Sequence, residues 1–217
     1  MEIAVLGLGR FGRQLARTLA DEGHNVLALD RDERIVQDLA DEVTKAVTLD
    51  ITDAEALEDV GAGHVEVGVI ATTEVEASVL AALNLQALQV PTIHAKASNQ
   101  RHATILRRLG VQRVVIPEEE GGERFSHLIR MPGSADYLPL TPGYGIGVYT
   151  SPESWTGQTL EWTLAPVKGE GSGTRRLLMI VRGETVQLNP VRTQAIEAGD
   201  RLVFAGSDDD LRRLMLE

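Results

Sequence analysis

Three glycines near the start of the chain constrain its fold more than any other feature. The apolar run Ile3–Leu6 leads into Gly7-Leu-Gly9-Arg-Phe-Gly12, and a periodic helical pattern follows. This is the G-x-G-x-x-G spacing of a nucleotide-binding βα turn. The first glycine permits the tight turn, the second lets phosphate oxygens approach the backbone, and the third lets the helix pack closely on the strand. The N-terminus of such a helix presents free N–H groups and a partial positive charge to an anion.

An acid at the end of the second predicted strand points to the same kind of site. The strand Asn25–Asp30 ends in Asp30, 18 positions after Gly12. A carboxylate that bonds ribose hydroxyls is expected at about this distance. Its charge disfavours a 2′-phosphate, and therefore NADP, but it does not separate NADH from ATP.

Predicted strands and helices alternate along residues 1–117 in the order βαβαβαβαβαβ. Strands separated by one helix are parallel, and short apolar strands fit a sheet that is covered on both faces. We therefore predict an α/β domain with a doubly wound, Rossmann-type parallel sheet, whose ligand crevice lies beyond the carboxyl ends of the strands. The residues at such ends, predicted to face one site, are Asp30, Asp50, Thr72, Thr73 and Lys96.

Local patterns also predict where several helices begin and end. Thr52 followed by Glu55, and Thr73 followed by Glu76, match the capping box that opens a helix. The acidic run that starts at Glu118 predicts a solvated turn.

Residues 118–134 are predicted to form a crossover helix and a linker. After the acidic turn, Arg124–Arg130 has an amphipathic helical pattern, and Met131–Ser134 breaks it. From residue 135 to residue 217 glycine and proline become frequent and the apolar runs are short, which predicts a separate small α+β domain dominated by strands. Ser207 is predicted to cap a terminal helix, and Val167–Thr174 is predicted to be a loop.

Charge and composition exclude several function classes. The formal net charge is −11; residues 1–134 carry 21 acids and 13 bases, and residues 135–217 carry 11 acids and 8 bases. Neither part offers a basic face, so nucleic-acid binding is disfavoured. The chain has no cysteine, which excludes disulfides and thiolate chemistry and suits a cytoplasmic protein. No run approaches the ~20 apolar residues of a membrane span, and we see no signal-peptide pattern.

Several ordered motifs, spread over nearly the whole chain, resemble one family. They are Gly7–Gly12, Gly23–Asp30, Ile93–Ala97, Ile105–Glu118 and Asp136–Leu140, with Trp155–Leu160 and Ile196–Val203 nearer the C-terminus. These motifs resemble RCK/KTN domains, the cytoplasmic regulatory subunits of Trk and Ktr potassium uptake systems. The resemblance implies an N-terminal domain that binds ATP, ADP or NAD(H) and a small RCK C-terminal domain. It also implies an obligate dimer through the crossover helix, and a ring, usually of eight chains, beneath a separate membrane pore subunit.

The resemblance also implies roles for individual residues. Arg10 is expected near the nucleotide phosphates, Asp30 at the ribose, and Asp50 and Ile51 beside the adenine. Glu118 matches a family glutamate that can hold a cation, either divalent or Na⁺, at the dimer interface. The full predicted site comprises Gly7, Gly9, Arg10, Phe11, Gly12, Asp30, Arg31, Asp50, Ile51, Thr72, Thr73, Lys96 and Glu118.

The chain departs from the family pattern at three places. The fourth strand is followed by Ala71-Thr-Thr73, where the family commonly has a glycine. Gly121-Gly122 replaces the usual Met-Gly, which predicts a looser crossover. The Lys168–Thr174 loop is longer and richer in glycine than is usual. Some relatives bind cyclic di-AMP in the C-terminal domain, and Arg175, Arg176 and Asn189 are the candidates for that role here.

A small NAD-dependent oxidoreductase is the alternative function. The glycine motif alone would favour it, but the chain has no Tyr-x-x-x-Lys pair and no cysteine. His102, which opens a helix near the crevice, is the one histidine placed to act as an acid or base, and its position is also typical of a surface residue. We therefore predict a regulatory protein that is not an enzyme.

Overall fold

The computed structural model describes residues 1–131, 133–163 and 175–214, which fall into two compact units, Met1–Glu120 and Gly121–Glu217. The first unit is an α/β structure. Its strands are β1 (Glu2–Leu6), β2 (Asn25–Asp30), β3 (Lys45–Thr48), β4 (Val67–Ile70), β5 (Thr92–Lys96) and β6 (Arg113–Val115). Its helices are α1 (Arg10–Asp21), α2 (Glu33–Leu39), α3 (Ala54–Asp59), α4 (Val75–Ala87), α5 (Gln100–Arg108) and the beginning of α6 (Pro117–Arg130).

The six strands form one parallel sheet in the order β3-β2-β1-β4-β5-β6. This is the doubly wound Rossmann order, so the predicted fold class is confirmed. The strand order reverses between β1 and β4, and ligands bind at such a reversal in open α/β sheets.

Strand β1 shows why both faces of the sheet are covered. Its side chains alternate, so Ala4 and Leu6 join the core on one face, while Ile3 and Val5 join the core on the other. Helices α4 and α5 cover the first face, and α1 and α2 cover the second. Short, wholly apolar strands are what a sheet buried on both faces requires.

The two predicted capping boxes are wrong. Helix α3 is capped one residue later, by the Asp53 carboxylate, which accepts from the N–H groups of Glu55 and Ala56. Thr52 instead donates its N–H and its hydroxyl to Asp50. Helix α4 begins at Val75 and, in this described segment, has no side-chain cap bond. Both threonines lie in the turn before the helix, one residue ahead of its N-cap.

Helix α6 begins earlier than its composition predicts. The acidic stretch from Glu118 is its first turn and not a solvated loop, and Gly121 and Gly122 lie within the helix. Proline at the first helical position and acids in the first turn both favour this start, because the missing N–H costs nothing there and the carboxylates complement the helix dipole. The backbone is helical across both glycines, and the looser crossover stays a prediction, since each glycine costs the helix about 1 kcal/mol relative to alanine.

The second unit is built on an antiparallel sheet. Its strands β7 (Ser134–Thr141), β8 (Tyr144–Thr150), β9 (Arg176–Arg182), β10 (Thr185–Leu188) and β11 (Arg201–Ser207) lie in the order β10-β9-β11-β8-β7, and the short helices α7 (Leu160–Thr163) and α8 (Asp208–Arg213) accompany them. The predicted small α+β domain and the Ser207 cap of α8 are confirmed.

Strand β8 contains two internal glycines, a residue type that weakens strands. The structure explains them. A Cβ on Gly145 would lie 2.3 Å from the Tyr137 hydroxyl, and a Cβ on Gly147 would lie 2.6 Å from the Tyr149 ring. Each glycine therefore makes room for a buried tyrosine, which for Gly145 lies on the neighbouring strand β7. The predicted loop at Val167–Thr174 lies outside the described residues.

Candidate functional site

The glycine turn between β1 and α1 has the geometry that its spacing predicts. Gly7 has φ +96°, and a Cβ there would lie 3.0 Å from the Thr72 N atom. A Cβ on Gly12 would lie 1.9 Å from the Gly7 carbonyl oxygen. Around Gly9, in contrast, a Cβ would meet no atom of the described chain within 4 Å. The fold itself therefore requires Gly7 and Gly12, whereas Gly9 leaves open space for a ligand.

Helix α1 starts directly behind this turn and offers an anion site. Gly9 is its N-cap, and no side chain of the described chain caps it. Its first turn holds no acid, and Arg10 adds a cation. The free N–H groups of a helix start favour an anion, and a nearby guanidinium strengthens that preference.

Asp30 has a role that the sequence did not reveal. Its Oδ2 accepts from the Leu8 N–H at 2.5 Å, and its Oδ1 accepts from the Asp32 N–H at 2.9 Å. The carboxylate thus holds the glycine turn against the end of β2. A carboxylate has about four acceptor positions, so two remain for ligand hydroxyls.

A cleft beyond the carboxyl ends of the strands has two lobes, which share Gly7, Asp30 and Thr72. The first, here called the Asp50 lobe, has a volume of about 220 Å³. It is lined by Gly7, Asp30, Arg31, Asp50, Ile51, Thr52, Thr72, Glu74 and Ala77. The second, here called the Lys96 lobe, has a volume of about 500 Å³. It is lined by Gly7, Gly9, Arg10, Phe11, Asp30, Ala71, Thr72, Thr73, Lys96, Pro117 and Glu118.

The Asp50 lobe is rich in hydrogen-bond acceptors. Two bonds from Thr52 hold the pKa of Asp50 below its ordinary value, and the Arg31 charge lowers it further. Arg31 also forms an exposed ion pair with Glu74, with 3.0 Å between Nη2 and Oε1. Three carboxylates and one guanidinium therefore surround this lobe, which suits a ligand part that donates hydrogen bonds and carries no phosphate.

The Lys96 lobe contains a nearly buried cation. The Lys96 side chain is 10% exposed, and its Nζ lies 2.9 Å from Glu118 Oε1. The same nitrogen lies 5.6 Å from the centre of the Phe11 ring, within cation–π range. The hydrogen bond from Lys96 is the main reason that the pKa of Glu118 lies below its ordinary value, and the Arg10 charge contributes as well.

All the predicted site residues except Gly12 line one of these two lobes, and Gly12 lies beneath the turn. Residues that the prediction missed are Thr52, Ala71, Glu74, Ala77 and Pro117. Their positions in the sequence could have indicated them, because each lies in the loop after a strand or in the first turn of the helix that follows.

His102, the acid–base candidate of the oxidoreductase hypothesis, is a core residue and not a surface residue. It is 1% exposed and does not line either lobe. Its Nδ1 accepts from the Ser98 N–H at 3.2 Å, which leaves the proton on Nε2, 2.6 Å from Ser78 Oγ. Ser78 in turn donates to the Val75 carbonyl, so the three groups are mutually satisfied. Burial lowers the pKa of His102, which favours its neutral form.

Two further predictions concern ligands elsewhere. In the described ranges there is no cluster of three or more His, Asp or Glu side chains that could hold a metal ion. A cation at Glu118 would therefore need ligands from a nucleotide or from another chain. Arg176 is the first residue of β9. Asn189 directly follows β10, has φ +47°, and donates its N–H to the carbonyl of Leu178 in β9. The assignment of cyclic di-AMP to these residues and Arg175 stays a prediction.

A known protein family matches the α/β part of the chain. The model of the TrkA-N domain matches residues 3–117, the α/β part that carries the cleft. The chain belongs to the TrkA-N family. This TrkA-N protein is 32% identical over 213 residues to the Ktr system potassium uptake protein C of Bacillus subtilis (strain 168), covering 98% of this chain and 95% of that protein. The resemblance seen in the sequence motifs is thereby confirmed.

Solved structures with the same fold include two of GsuK. The crystal structure of the GsuK RCK domain aligns with a TM-score of 0.62 and 20% identity, covering 97% of this TrkA-N chain and 46% of that one. The GsuK channel bound to NAD aligns with a TM-score of 0.57 and 21% identity, covering 99% of this chain and 38% of that one. The fold of this TrkA-N protein is therefore an RCK fold.

Within the described residues, the helices are all too short or too polar to cross a membrane.

Proposed function

We propose that this chain is a nucleotide-sensing regulatory subunit of a potassium uptake system, located in the cytoplasm and attached to the inner face of the membrane through a separate Trk- or Ktr-type pore subunit. The observation that carries the proposal is the two-lobed cleft at the point where the strand order of a TrkA-N domain reverses. A relative that matches over nearly its whole length is the Ktr system potassium uptake protein C of Bacillus subtilis.

The two lobes match the two chemical halves of a nucleotide. The acceptor-rich Asp50 lobe suits the adenosine, whose amino group and ribose hydroxyls donate hydrogen bonds. The Lys96 lobe suits the phosphates, because it combines Arg10, Lys96 and the open backbone at Gly9 beside the start of α1. ATP, ADP and NAD(H) all have this division, and a solved structure of the GsuK channel holds NAD.

Sensing requires the ligand to prefer one conformation of the assembly. A preference of about 100-fold supplies about 3 kcal/mol per site, and several coupled sites can then bias a pore. The γ-phosphate of ATP would add a charge-assisted contact to Arg10 that ADP cannot make. A divalent cation or Na⁺, held by Glu118 together with phosphate oxygens, would add a further difference between the nucleotides.

The assembly that we propose is a dimer through α6, with dimers joined in an octameric ring. Phe125 and Ile129 on α6 support the dimer, since they are 63% and 68% exposed and lie on one side of the helix. Exposed large apolar side chains four residues apart are typical of a helix that packs on another chain.

Among the described residues, no histidine supports the alternative of an oxidoreductase. None of the described histidines lines either lobe. His102 is held neutral between two serines, away from the cleft. A hydride-transfer enzyme needs a positioned acid or base beside its substrate.

Thermal unfolding in the presence of ATP, ADP, NAD, NADH and cyclic di-AMP tests the proposal, because a ligand that binds only the folded state stabilises it by RT ln(1 + [L]/Kd). We expect at least one adenine nucleotide to raise the melting temperature, and Asp30→Ala to abolish the effect. The pore subunit, reconstituted with this chain, should then change its potassium flux with that nucleotide. No stabilisation by any of the five ligands would refute nucleotide sensing.

A further inference from the structure

The ion pair between Lys96 and Glu118 joins two residues with very different surroundings. The Lys96 side chain is 10% exposed, whereas the Glu118 side chain is 67% exposed. A cation that is largely removed from water needs an anionic partner, since leaving it alone carries a large desolvation cost. Glu118 loses little by returning to water. Lys96 therefore depends on an anion, and Glu118 does not depend on Lys96.

A ligand phosphate would compete with Glu118 for this cation. Both Lys96 and Glu118 line the same lobe, together with Gly9 and Arg10. A phosphate in that lobe gains Lys96, Arg10 and the N–H groups at the start of α1, whereas Glu118 bonds Lys96 and is attracted to Arg10 through charge alone. Two anions close to one ammonium group also repel each other. The phosphate has more partners in the lobe and is the stronger competitor.

We propose that Glu118 is an internal counter-ion, which ligand phosphate displaces from Lys96 so that phosphate occupancy releases the first turn of α6. This inference rests on the proposed function, because it assigns the phosphate end of a nucleotide to the Lys96 lobe. The displaced carboxylate lies beside the phosphate and becomes free to hold a cation there.

The bonds around the start of α6 show what the release would change. Glu118 bonds Lys96, and Glu119 accepts from Gln100 Nε2 at 2.6 Å, so two side chains tie the first turn to the α/β unit. Loss of the Lys96 bond leaves one of these side-chain ties, beside the backbone bonds from the Glu119 and Glu120 N–H groups to the Ile116 carbonyl. Gly121 and Gly122 follow directly and weaken the helix at that point. Helix α6 continues to Arg130, so its first turn belongs to the α/β unit and its remainder to the second unit.

Removing the Glu118 charge should strengthen ligand binding, although Glu118 lines the binding lobe. Glu118→Gln should tighten the binding of pyrophosphate and of ADP, both measured calorimetrically in EDTA, by about tenfold. Glu119→Gln is the matched control, since it removes the same charge one residue along while its partner is Gln100; it should change both affinities by less than about twofold. In a Lys96→Met background, Glu118→Gln should tighten both affinities by much less than in the wild-type background, since only its repulsion of the phosphate and its attraction to Arg10 are then removed.

A measurement on the unaltered protein covers the case in which a variant folds poorly. Pyrophosphate should speed hydrogen exchange at the backbone amides of Glu119–Gly122, since their turn loses one of its two side-chain ties. Weaker or unchanged binding in Glu118→Gln, or exchange that pyrophosphate slows, would overturn the inference. Gain of pyrophosphate binding in Glu118→Gln without any nucleotide binding would support the displacement and refute the nucleotide proposal. Absence of binding for both ligands in all variants would refute both.

Discussion

Replacing Gly12 by alanine would put a methyl group where the structure has the Gly7 carbonyl oxygen. The added carbon would lie 1.9 Å from that oxygen and 3.1 Å from the Ala71 Cβ. The first of these neighbours is backbone, so no side-chain rotation can relieve the clash. Helix α1 must move away from the β1 turn, and its buried face, which includes Ala16, must move with it.

The size of the effect follows from two opposing contributions. Overpacking in a well-packed core costs up to about 3 kcal/mol, and the short distance puts this substitution at the upper end. Alanine in a helix is intrinsically better than glycine by up to about 1 kcal/mol. The net destabilisation should be about 2 kcal/mol, which lowers the melting temperature by roughly 4 to 8 °C for a chain of this size.

Gly9→Ala is the control that separates folding from binding. Its backbone is already in an extended conformation, φ −60° and ψ −176°, and the added methyl group meets no described atom within 4 Å. We expect it to cost less than about 1 kcal/mol of stability, because alanine is a poorer N-cap than glycine, and to weaken ADP binding through the blocked approach to the backbone. Calorimetric unfolding and ADP titration of both variants provide the test. Wild-type stability in Gly12→Ala, or wild-type ADP affinity in Gly9→Ala, would refute this account of the turn.

Three further predictions use other residues of the α/β unit. Arg10→Ala should lower ATP affinity more than ADP affinity, and equal losses in a titration would contradict a contact with the γ-phosphate. Asp30→Ala should abolish adenine-nucleotide binding and also lower the melting temperature, because it removes the acceptor of the Leu8 N–H; tight binding by this variant would show that the ribose assignment is wrong. Burial lowers the pKa of His102 in the folded protein, whereas in the unfolded chain the pKa is about 6.5. The stabilisation from neutral His102 is therefore present above pH 6.5. As the pH falls from 6.5 towards the folded pKa, the free energy of unfolding decreases by up to about 1.4 kcal/mol per pH unit. Denaturant unfolding between pH 5 and 7 should show this slope in the wild type and a shallower one in His102→Gln, and identical slopes would remove His102 as the cause.

Local sequence patterns predicted the structure correctly where residues close together in the chain determine the conformation. The spacing of Gly7, Gly9 and Gly12 predicted the turn, because the positive φ and the close approach are set within six residues. The alternation of strands and helices predicted the parallel sheet, since right-handed crossovers leave few other arrangements. Strand ends in such a sheet share one edge, so Asp30 and Lys96 could be assigned to one crevice before any contact was known.

Only the tertiary structure decided the features that depend on distant partners. Position 145 in strand β8 requires glycine because the Tyr137 side chain occupies the space of a Cβ there. The Lys96–Glu118 ion pair joins groups 22 residues apart, and it gives Glu118 a partner that its acidic neighbours in the sequence conceal. His102 reads as a helix-start residue, yet packing buries it. Electrostatic and packing energies depend on the distance between groups in space. The number of residues between two groups determines this distance only when they lie within a turn or two of one helix.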